Sequence, residues 1–169
     1  FWFTPLPEKA GHVIFDPKSE HLGVVSDAAI IILDVGSGKM LARLEGAGDS
    51  FAWSPDGQRL VSGSGCEQVT VWDPNNGASL KELSSDKCSE GYSGIKVAWA
   101  ADGRIYGVSM GTKILAWEGD TYAPVEDFSA EGAKDTWISV LLAAPVGNLL
   151  VQYDNMGLPN IAIVDTKQD

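Results

Sequence analysis

The chain has 169 residues, of which 44% are apolar, and its mean hydropathy is −0.01, values typical of one globular domain with a substantial core. Twelve Lys and Arg against 23 Asp and Glu give a formal charge of −11, which argues against direct nucleic-acid binding because such proteins neutralise phosphates with basic side chains. No apolar run approaches the roughly 20 residues that cross a bilayer, so we expect no membrane segment.

The chain begins with the aromatic segment "FWFTPLPE", for which the sequence predicts an outer strand over residues 1–9, either of a preceding sheet or of the sheet that closes the fold. Pro5 and Pro7 are tolerated only at the edge of a sheet, because proline cannot donate to the hydrogen-bond ladder. Trp2 is a candidate contact residue, since an aromatic cluster at a sheet edge either packs against a neighbouring sheet or binds a partner.

Four segments of similar layout follow, over residues 11–46, 48–85, 91–130 and 134–169. Each begins with a short apolar strand that carries Phe15, Trp53, Trp99 or Leu142. A tight turn comes next, such as "SPDG", because Pro, Asp and Gly favour the backbone angles that turns need. A second strand leads to the most uniform element, the third strand, which reads "IIILD", "VTVWD", "ILAWE" or "IAIVD". The fourth strand is more polar, which is typical of a sheet edge that meets water.

The third strands recur at a regular distance. The acidic residues that end them are Asp34, Asp73, Glu118 and Asp165, which are 39, 45 and 47 residues apart. This spacing matches a four-stranded propeller blade of roughly 40–45 residues with loop insertions. The sequence therefore predicts an all-β fold, a β-propeller with about four four-stranded antiparallel blades. Since so few blades would close a tight ring, we expect a larger ring, completed by missing sequence or by another chain.

These motifs resemble the WD-repeat family of β-propellers over roughly residues 11–165. The second segment carries "SPDG" and "VWD", the third carries "ADG" and "AWE", and the first and fourth end in "LD" and "VD". In that family, a His ahead of the first strand and a Ser in the second strand bond to the Trp-Asp pair. Here His12 abuts the first strand, and the other segments lack a Gly-His pair. We therefore expect this polar network to be absent or rebuilt.

The resemblance implies a non-catalytic scaffold for protein–protein interaction, a subunit of a multiprotein assembly in the cytoplasm or the nucleus. The long loops that break the period, 84–94 and 130–136, are the expected contact segments, because insertions in repeat proteins map to loops that often bind. Their acidic residues would favour basic peptides or proteins, alongside other subunits, as partners. The candidate partner-binding residues are Trp2, Asp86, Glu90, Tyr92, Glu131 and Asp135.

Several motifs resemble catalytic or ligand-binding motifs, but a structural role in the repeat explains them better. We therefore expect no catalytic, cofactor-binding or metal-binding residues. The segment "VGSGKM" lacks the upstream Gly and the Ser or Thr of a phosphate-binding loop. Ser50 has only two histidines in the chain as candidate bases. Asp16, Asp56 and Asp102 recur at one turn of each segment, where turn capping explains them more simply than calcium. An alternative from another class stays open: a propeller enzyme, or a periplasmic or quinoprotein-like ligand-binding propeller.

Cys66 and Cys88 fall in loops that should emerge on one face of a propeller. A disulfide between them is possible if their Cα atoms lie within about 7 Å. The two cysteines show no spacing of a zinc site or a disulfide framework. Two thiols in a reducing compartment are therefore the expected state, although the bond stays open.

Overall fold

In the computed structural model, the described residues are 3–6, 9–27, 29–65, 68–83, 95–108, 114–125, 137–144, 148–155 and 158–165. They form fifteen β-strands and no α-helix. The strands are β1 (Ala10–Phe15), β2 (His21–Ser26), β3 (Ala29–Asp34), β4 (Met40–Leu44), β5 (Ser50–Trp53), β6 (Leu60–Gly63), β7 (Val69–Trp72), β8 (Ser79–Glu82), β9 (Lys96–Trp99), β10 (Arg104–Val108), β11 (Ile114–Glu118), β12 (Pro124–Val125), β13 (Trp137–Ala143), β14 (Asn148–Asn155) and β15 (Leu158–Asp165).

The strands form four separate antiparallel sheets, in each of which sequence neighbours pair in a meander. We name the sheets blade 1 (β1–β4), blade 2 (β5–β8), blade 3 (β9–β12) and blade 4 (β13–β15). The predicted all-β fold with antiparallel blades is confirmed. The described residues of blade 4 supply three strands. Among the described residues, no helix has the length and hydropathy that crossing a bilayer requires.

The third strand of a blade is buried on both of its faces. In β3, Ile30, Ile31 and Ile32 are inaccessible to solvent although successive side chains of a strand point to opposite faces. The outer strand β8 is exposed at each of its four residues, including Lys81 and Glu82. This contrast explains the uniform apolar third strands and the polar fourth strands of the sequence.

Three apolar clusters fill the spaces between consecutive blades. The first joins blade 1 to blade 2 and includes Ile30, Ile32, Phe51 and Trp53. A second cluster lies between blades 2 and 3, and a third joins blade 3 to Leu141 of blade 4. Burial of these faces supplies most of the stability of each blade, at about 25 cal/mol per Å² of apolar surface. A blade is therefore stable only beside its neighbours.

The last residue of the first strand points towards the preceding blade. Trp53 pairs with Leu60, and the Trp53 side chain packs in the cluster between blades 1 and 2. In blade 4 the equivalent residue is Ala143, the last residue of β13, and not Leu142 as the sequence alignment had it. Leu142 is more than half exposed, whereas Ala143 packs against the cluster of blade 3. A register shift in β13 between Ile138 and Val140 accompanies this offset.

The expected loss of the family's polar network is wrong in part. Trp72 Nε1 donates to Ser62 Oγ at 2.9 Å, so the serine-to-tryptophan bond persists within blade 2. The expectation failed because it rested on the missing Gly-His pairs, whereas this bond needs only a Ser on β6 opposite a Trp on β7. His12 stacks on Phe51 of blade 2 instead, with ring centres 5.7 Å apart.

The segment 3–6 lies against the face of blade 1 that points away from blade 2. Leu6 packs on a cluster of Val24, Ile31 and Leu33, and Thr4 Oγ1 donates to Gly38 O at 2.5 Å. Residues 1, 2, 7 and 8 are outside the described residues. The outer strand over residues 1–9 therefore stays a prediction.

Close approach between blades 2 and 3 requires glycine at position 63. A Cβ built on Gly63 would lie 2.1 Å from the backbone oxygen of Ile95, whereas one built on Gly65 meets nothing within 4 Å. We predict that Gly63→Ala lowers the free energy of unfolding by about 2–3 kcal/mol, because backbone atoms must move to relieve the clash. Urea denaturation measures the change, and Gly65→Ala is the matched control. Equal effects of the two substitutions would contradict the close packing.

Candidate interaction surface

Carboxylates and hydroxyls close the turns between first and second strands. Ser54 Oγ accepts from Arg59 N at 2.9 Å and lies 2.6 Å from Asp56 Oδ1, to which it donates. Asp56 Oδ1 also accepts from Gln58 N at 2.9 Å. In blade 3, Asp102 Oδ1 accepts from the backbone of the residue two positions on, at 3.0 Å. The predicted turn capping at these aspartates is confirmed.

Among the described residues, the turn of blade 1 holds the group of side chains that most resembles a metal-binding site. Ligand atoms of Asp16, Glu20 and His21 lie within 4.8 Å of one another. Both oxygens of the buried Asp16 carboxylate are already engaged, Oδ1 by the backbone amides of Glu20 and His21, and Oδ2 by His21 Nδ1 at 3.3 Å. His21 also stacks on Trp53 of blade 2. This arrangement is a turn cap that joins two blades.

Arg59 makes the corresponding link from blade 2 to blade 3. Arg59 Nη1 donates to Tyr122 Oη at 2.6 Å and reaches Gly119 O at 3.5 Å. The guanidinium carbon also lies 5.6 Å from the centre of the Tyr122 ring, within the range of a cation–π contact. Tyr122 has a φ of 61°, in the left-handed region of backbone conformation. The link holds the turns of two adjacent blades together.

A cleft of about 380 Å³ opens beside this link, between the turns of blades 2 and 3. Its walls include the Trp99 ring and three aspartates, Asp56, Asp102 and Asp120, against the single cation of Arg59. The cleft therefore carries a net negative lining that suits a cationic or polar group better than an anion.

The six candidate partner-binding residues of the sequence analysis lie outside the described residues: Trp2, Asp86, Glu90, Tyr92, Glu131 and Asp135. The same holds for Cys66 and Cys88. The described residues on either side of 84–94 are firmly anchored. Leu83 N donates to Val69 O at 2.7 Å, Ile95 N donates to Ser64 O at 3.3 Å, and both side chains are buried.

Sequence reasoning did not find the links between the turns. Equivalent positions in blades 1, 2 and 3 hold His21, Arg59 and Arg104. The backbone carbonyl of each accepts a hydrogen bond from the amide of the residue that directly follows the first strand of its blade. All three are potential cations. The recurrence of a basic side chain at this position was therefore visible in the aligned repeats, but its partners come from elements distant in the sequence.

These features define the class of protein. Separate antiparallel sheets, packed face to face through apolar and aromatic side chains, form consecutive blades of a β-propeller fold of the kind found in WD-repeat proteins. The resemblance drawn from the sequence motifs is thereby confirmed.

Known proteins support this assignment. The chain is similar over 95% of its length to the solved structure of U3-55K, with a TM-score of 0.71 and 17% identity, and to the RRP9 WD40 repeats, with a TM-score of 0.73 and 16% identity. It spans about half of those chains, 53% and 52% respectively. Over 107 residues, or 60% of the chain, it is 34% identical to Coronin-7 of Homo sapiens, of which it covers 11%. No protein-family model matches the chain.

The link between Arg59 and Tyr122 gives a first test of this surface. We predict that Tyr122→Phe lowers the free energy of unfolding by about 1 kcal/mol, because the guanidinium loses one hydrogen bond. In the background of Arg59→Ala the same substitution should have almost no effect. A double-mutant cycle by chemical denaturation measures this coupling. Additive effects would contradict a direct link.

The pKa of Asp56 is lowered from its ordinary value of 3.8, first by the hydrogen bond from Ser54 and then by the bond from the Gln58 amide. A lowered pKa in the folded state stabilises the fold above pH 3.8, and this contribution is lost as the pH falls through the folded-state pKa. We predict that Asp56→Asn is less stable than the parent chain at pH 7 and that the difference vanishes in acid.

Thermal unfolding between pH 2 and pH 7 checks the pH dependence. Ser79→Ala, on the exposed strand β8, is the control and should show no such dependence, because it removes no ionisable group. A constant difference between Asp56→Asn and the parent chain at every pH would contradict the role of the carboxylate.

Proposed function

We propose that the chain is part of a non-catalytic WD-repeat scaffold that holds other protein subunits of an assembly. The observation that carries the proposal is the position of the two segments that break the repeat. Segment 84–94 belongs to the connection between the outer strand β8 and the first strand β9, and segment 130–136 belongs to the connection between β12 and β13. The equivalent connection between β4 and β5 has only residues 45–49.

Equivalent connections emerge on one face of stacked blades, because each blade has the same strand order and direction. The described strand ends that flank the two segments therefore lie on one face, on a framework of paired strands. Loops on a rigid framework are the usual position of binding residues in repeat proteins. A partner that spans two blades could contact both segments at once.

The charge of these segments suggests the chemistry of the partner. Asp86, Glu90, Glu131 and Asp135 would attract a basic peptide or protein surface, in keeping with the net charge of −11. Tyr92 would supply an aromatic contact to the same partner, since tyrosine is enriched at protein interfaces.

Trp2, which directly precedes the segment 3–6 in the sequence, would extend the contact surface. We place the role in the cytoplasm or the nucleus, where Cys66 and Cys88 would remain thiols.

Charge reversal in the two segments tests the proposal. The doubly reversed variants Asp86→Lys/Glu90→Lys and Glu131→Lys/Asp135→Lys should each weaken binding of Lys- and Arg-rich peptides by roughly tenfold or more, because attraction becomes repulsion. Fluorescence anisotropy against a peptide panel measures binding, and affinity for the parent chain should fall as salt rises.

The control is Lys81→Glu/Glu82→Lys on the outer strand β8, which exchanges two charges and leaves the net charge the same. This variant should bind as the parent chain does. Binding that is unchanged by the segment variants, or that prefers acidic peptides, would contradict the proposed contact surface.

The enzyme alternative makes a different prediction. A quinoprotein-like propeller would hold calcium and a quinone at a site of converging acidic ligands, and such ligands raise the melting temperature by mass action. The scaffold proposal predicts no shift of melting temperature with millimolar calcium or with a pyrroloquinoline quinone. A reproducible rise of several degrees that needs both ligands would favour the enzyme.

A further inference from the structure

The spaces between consecutive blades are filled differently at the turns, although blades 1, 2 and 3 repeat one pattern. Trp53 ends the first strand of blade 2, and Trp99 holds the same position in blade 3. The backbone bonds of the turns make Arg59 of blade 2 the equivalent of His21 in blade 1. Each tryptophan can therefore be compared with respect to the basic residue of the blade before it.

Between blades 1 and 2, the basic residue lies on the tryptophan. The His21 ring stacks on the Trp53 ring, with centres 6.0 Å apart and planes at 23°. His21 Nδ1 also lies 3.3 Å from Oδ2 of the buried Asp16 carboxylate. The chain thus already holds a planar nitrogen-donor group between a tryptophan and an aspartate at this position.

Between blades 2 and 3, the basic residue is engaged elsewhere. Arg59 Nη1 donates to Tyr122 Oη at 2.6 Å. Tyr122 stands where blade 2 has Gly77, because the backbone amides of both close the equivalent turn and both have a positive φ, 61° and 75°. Glycine has no side chain that can bind the basic residue, whereas the tyrosine hydroxyl accepts from the guanidinium. The cation of blade 2 is thereby held at Tyr122, and a cleft lies beside Trp99.

The cleft beside Trp99 is lined by carboxylates that their own turns hold in place. Asp56, Asp102 and Asp120 form part of its wall. In each of them Oδ1 accepts from a backbone amide one or two positions on, at 2.9, 3.0 and 2.7 Å. These carboxylates are fixed before a ligand arrives, which reduces the entropic cost of binding.

The charges around the cleft favour a cationic ligand. Arg59 contributes one positive charge to the wall, and Lys18 acts on Asp56 through its charge from nearby. At one side, Arg104 and Glu118 form an ion pair at 3.2 Å and so offset each other. The three carboxylates of the wall therefore outweigh the positive charges that face them.

The spacing of the carboxylates argues against a metal ion as the ligand. Among the described residues, the one group of acidic and histidine side chains whose ligand atoms lie as close as a metal site needs is in the turn of blade 1. The three aspartates of the cleft do not form such a group, so they suit a larger cation with several donors. A guanidinium is planar, is always charged and has five N–H donors, whereas an ammonium is a compact, strongly hydrated charge.

We propose that this cleft binds an arginine side chain of a partner protein. The guanidinium bonds to the carboxylates and lies against Trp99, as the His21 imidazole lies between Asp16 and Trp53 in the preceding space. The cleft volume of about 380 Å³ is at the lower end of the roughly 300–1,000 Å³ of ligand pockets, so it suits a single side chain.

The site lies at the opposite end of the strands from segments 84–94 and 130–136. Strand β9 begins after the first of these segments and ends at a turn that lines the cleft. Every residue that lines the cleft is described, and blades 2 and 3 each have another blade packed on their other face. The site is therefore separate from the contact surface proposed for the segments, and it gives the scaffold a second point of attachment.

Titration of the 169-residue chain with acetyl-Gly-Arg-Gly-amide, followed by two-dimensional amide NMR, tests the proposal. Saturable shifts should appear at amides 56–59, 101–104 and 119–122 and at the indole N–H of Trp99. We expect a dissociation constant of roughly 1 mM, because a few charge-assisted hydrogen bonds offset the lost freedom of a small ligand. The equivalent citrulline peptide, which is uncharged, should cause no saturable shift. The lysine peptide should bind roughly fivefold more weakly or worse.

Removal of two carboxylates tests the charge of the site. Asp56→Asn/Asp120→Asn should weaken binding of the arginine peptide roughly tenfold, because asparagine still caps a turn but carries no charge. The matched control is Asp27→Asn/Glu82→Gln, which removes two charges from exposed residues elsewhere and should bind as the parent chain does.

Tyr122→Gly tests how the cleft is kept open. It restores the residue found at the equivalent turn of blade 2, at a φ that glycine adopts readily. Arg59 should then turn onto Trp99, as His21 lies on Trp53, and weaken binding of the arginine peptide roughly tenfold by occupying its place. Undiminished binding by this variant would contradict the comparison between the two spaces and overturn the proposal.

Dispersed amide spectra verify that each variant is folded, and Asp120→Asn alone, at an exposed residue, replaces the double variant if that unfolds. The proposal is overturned by an absence of saturable shifts at the cleft with about 20 mM arginine peptide, well above the expected dissociation constant. It is also overturned by equal binding of the citrulline or lysine peptide, or by aspartate variants that bind as the control does.

Two further outcomes separate the source of the arginine and the two proposals. Free L-arginine carries a carboxylate that the acidic wall repels, so it should bind more weakly than the capped peptide; tighter binding would indicate a small-molecule site and overturn the assignment to a partner protein. Charge reversal in segments 84–94 and 130–136 should leave the shifts at the cleft unchanged. Shifts confined to amides next to those segments would support the proposed scaffold surface and overturn this site.

Discussion

The structure depends on one constraint: a blade presents apolar side chains on both faces of its sheet and must place another sheet against each. Ile30, Ile31 and Ile32 are consecutive, point alternately to the two faces of blade 1, and are all buried. Each additional contact between blades stabilises the fold by about 25 cal/mol per Å² of apolar surface that it buries, whereas an isolated sheet gains no such stabilisation on its open face. The stability of every blade is thus shared with its neighbours.

The polar contacts serve a different purpose, because they fix the relative position of the blades. Asp16 and His21 join blade 1 to Trp53 of blade 2, and Arg59 joins blade 2 to Tyr122 of blade 3. These contacts lie at the turns, where backbone groups need partners and apolar packing ends. A framework held at both its core and its turns lets the longer connections vary without loss of fold. That freedom is what the proposed scaffold would use, since binding residues in repeat proteins are often found in such connections.

Much of the fold follows from sequence because its causes are local and periodic. The third strands were predictable from continuous apolar runs such as "IIILD", since a strand covered on both faces has no polar side. The position of Leu142 was not, because the alignment of the fourth segment was one residue off and one residue of offset reverses the face of a side chain. The bond from Trp72 to Ser62 was missed because the expectation followed the family's histidine and not the geometry of the two strands. The Arg59 link depends on contacts 63 residues apart in sequence, which a repeat pattern does not contain.

Hydrogen exchange of the Trp53→Ala variant is the most direct test of shared stability. Trp53 belongs to β5 in blade 2, but it packs with Ile30 and Ile32 of β3 and donates to Ile14 O of β1. If the blades stabilise one another through their faces, the amides of β3 in blade 1 should lose protection together with those of β5 and β6. Loss of protection confined to blade 2, with β3 exchanging as slowly as in the parent chain, would contradict the account.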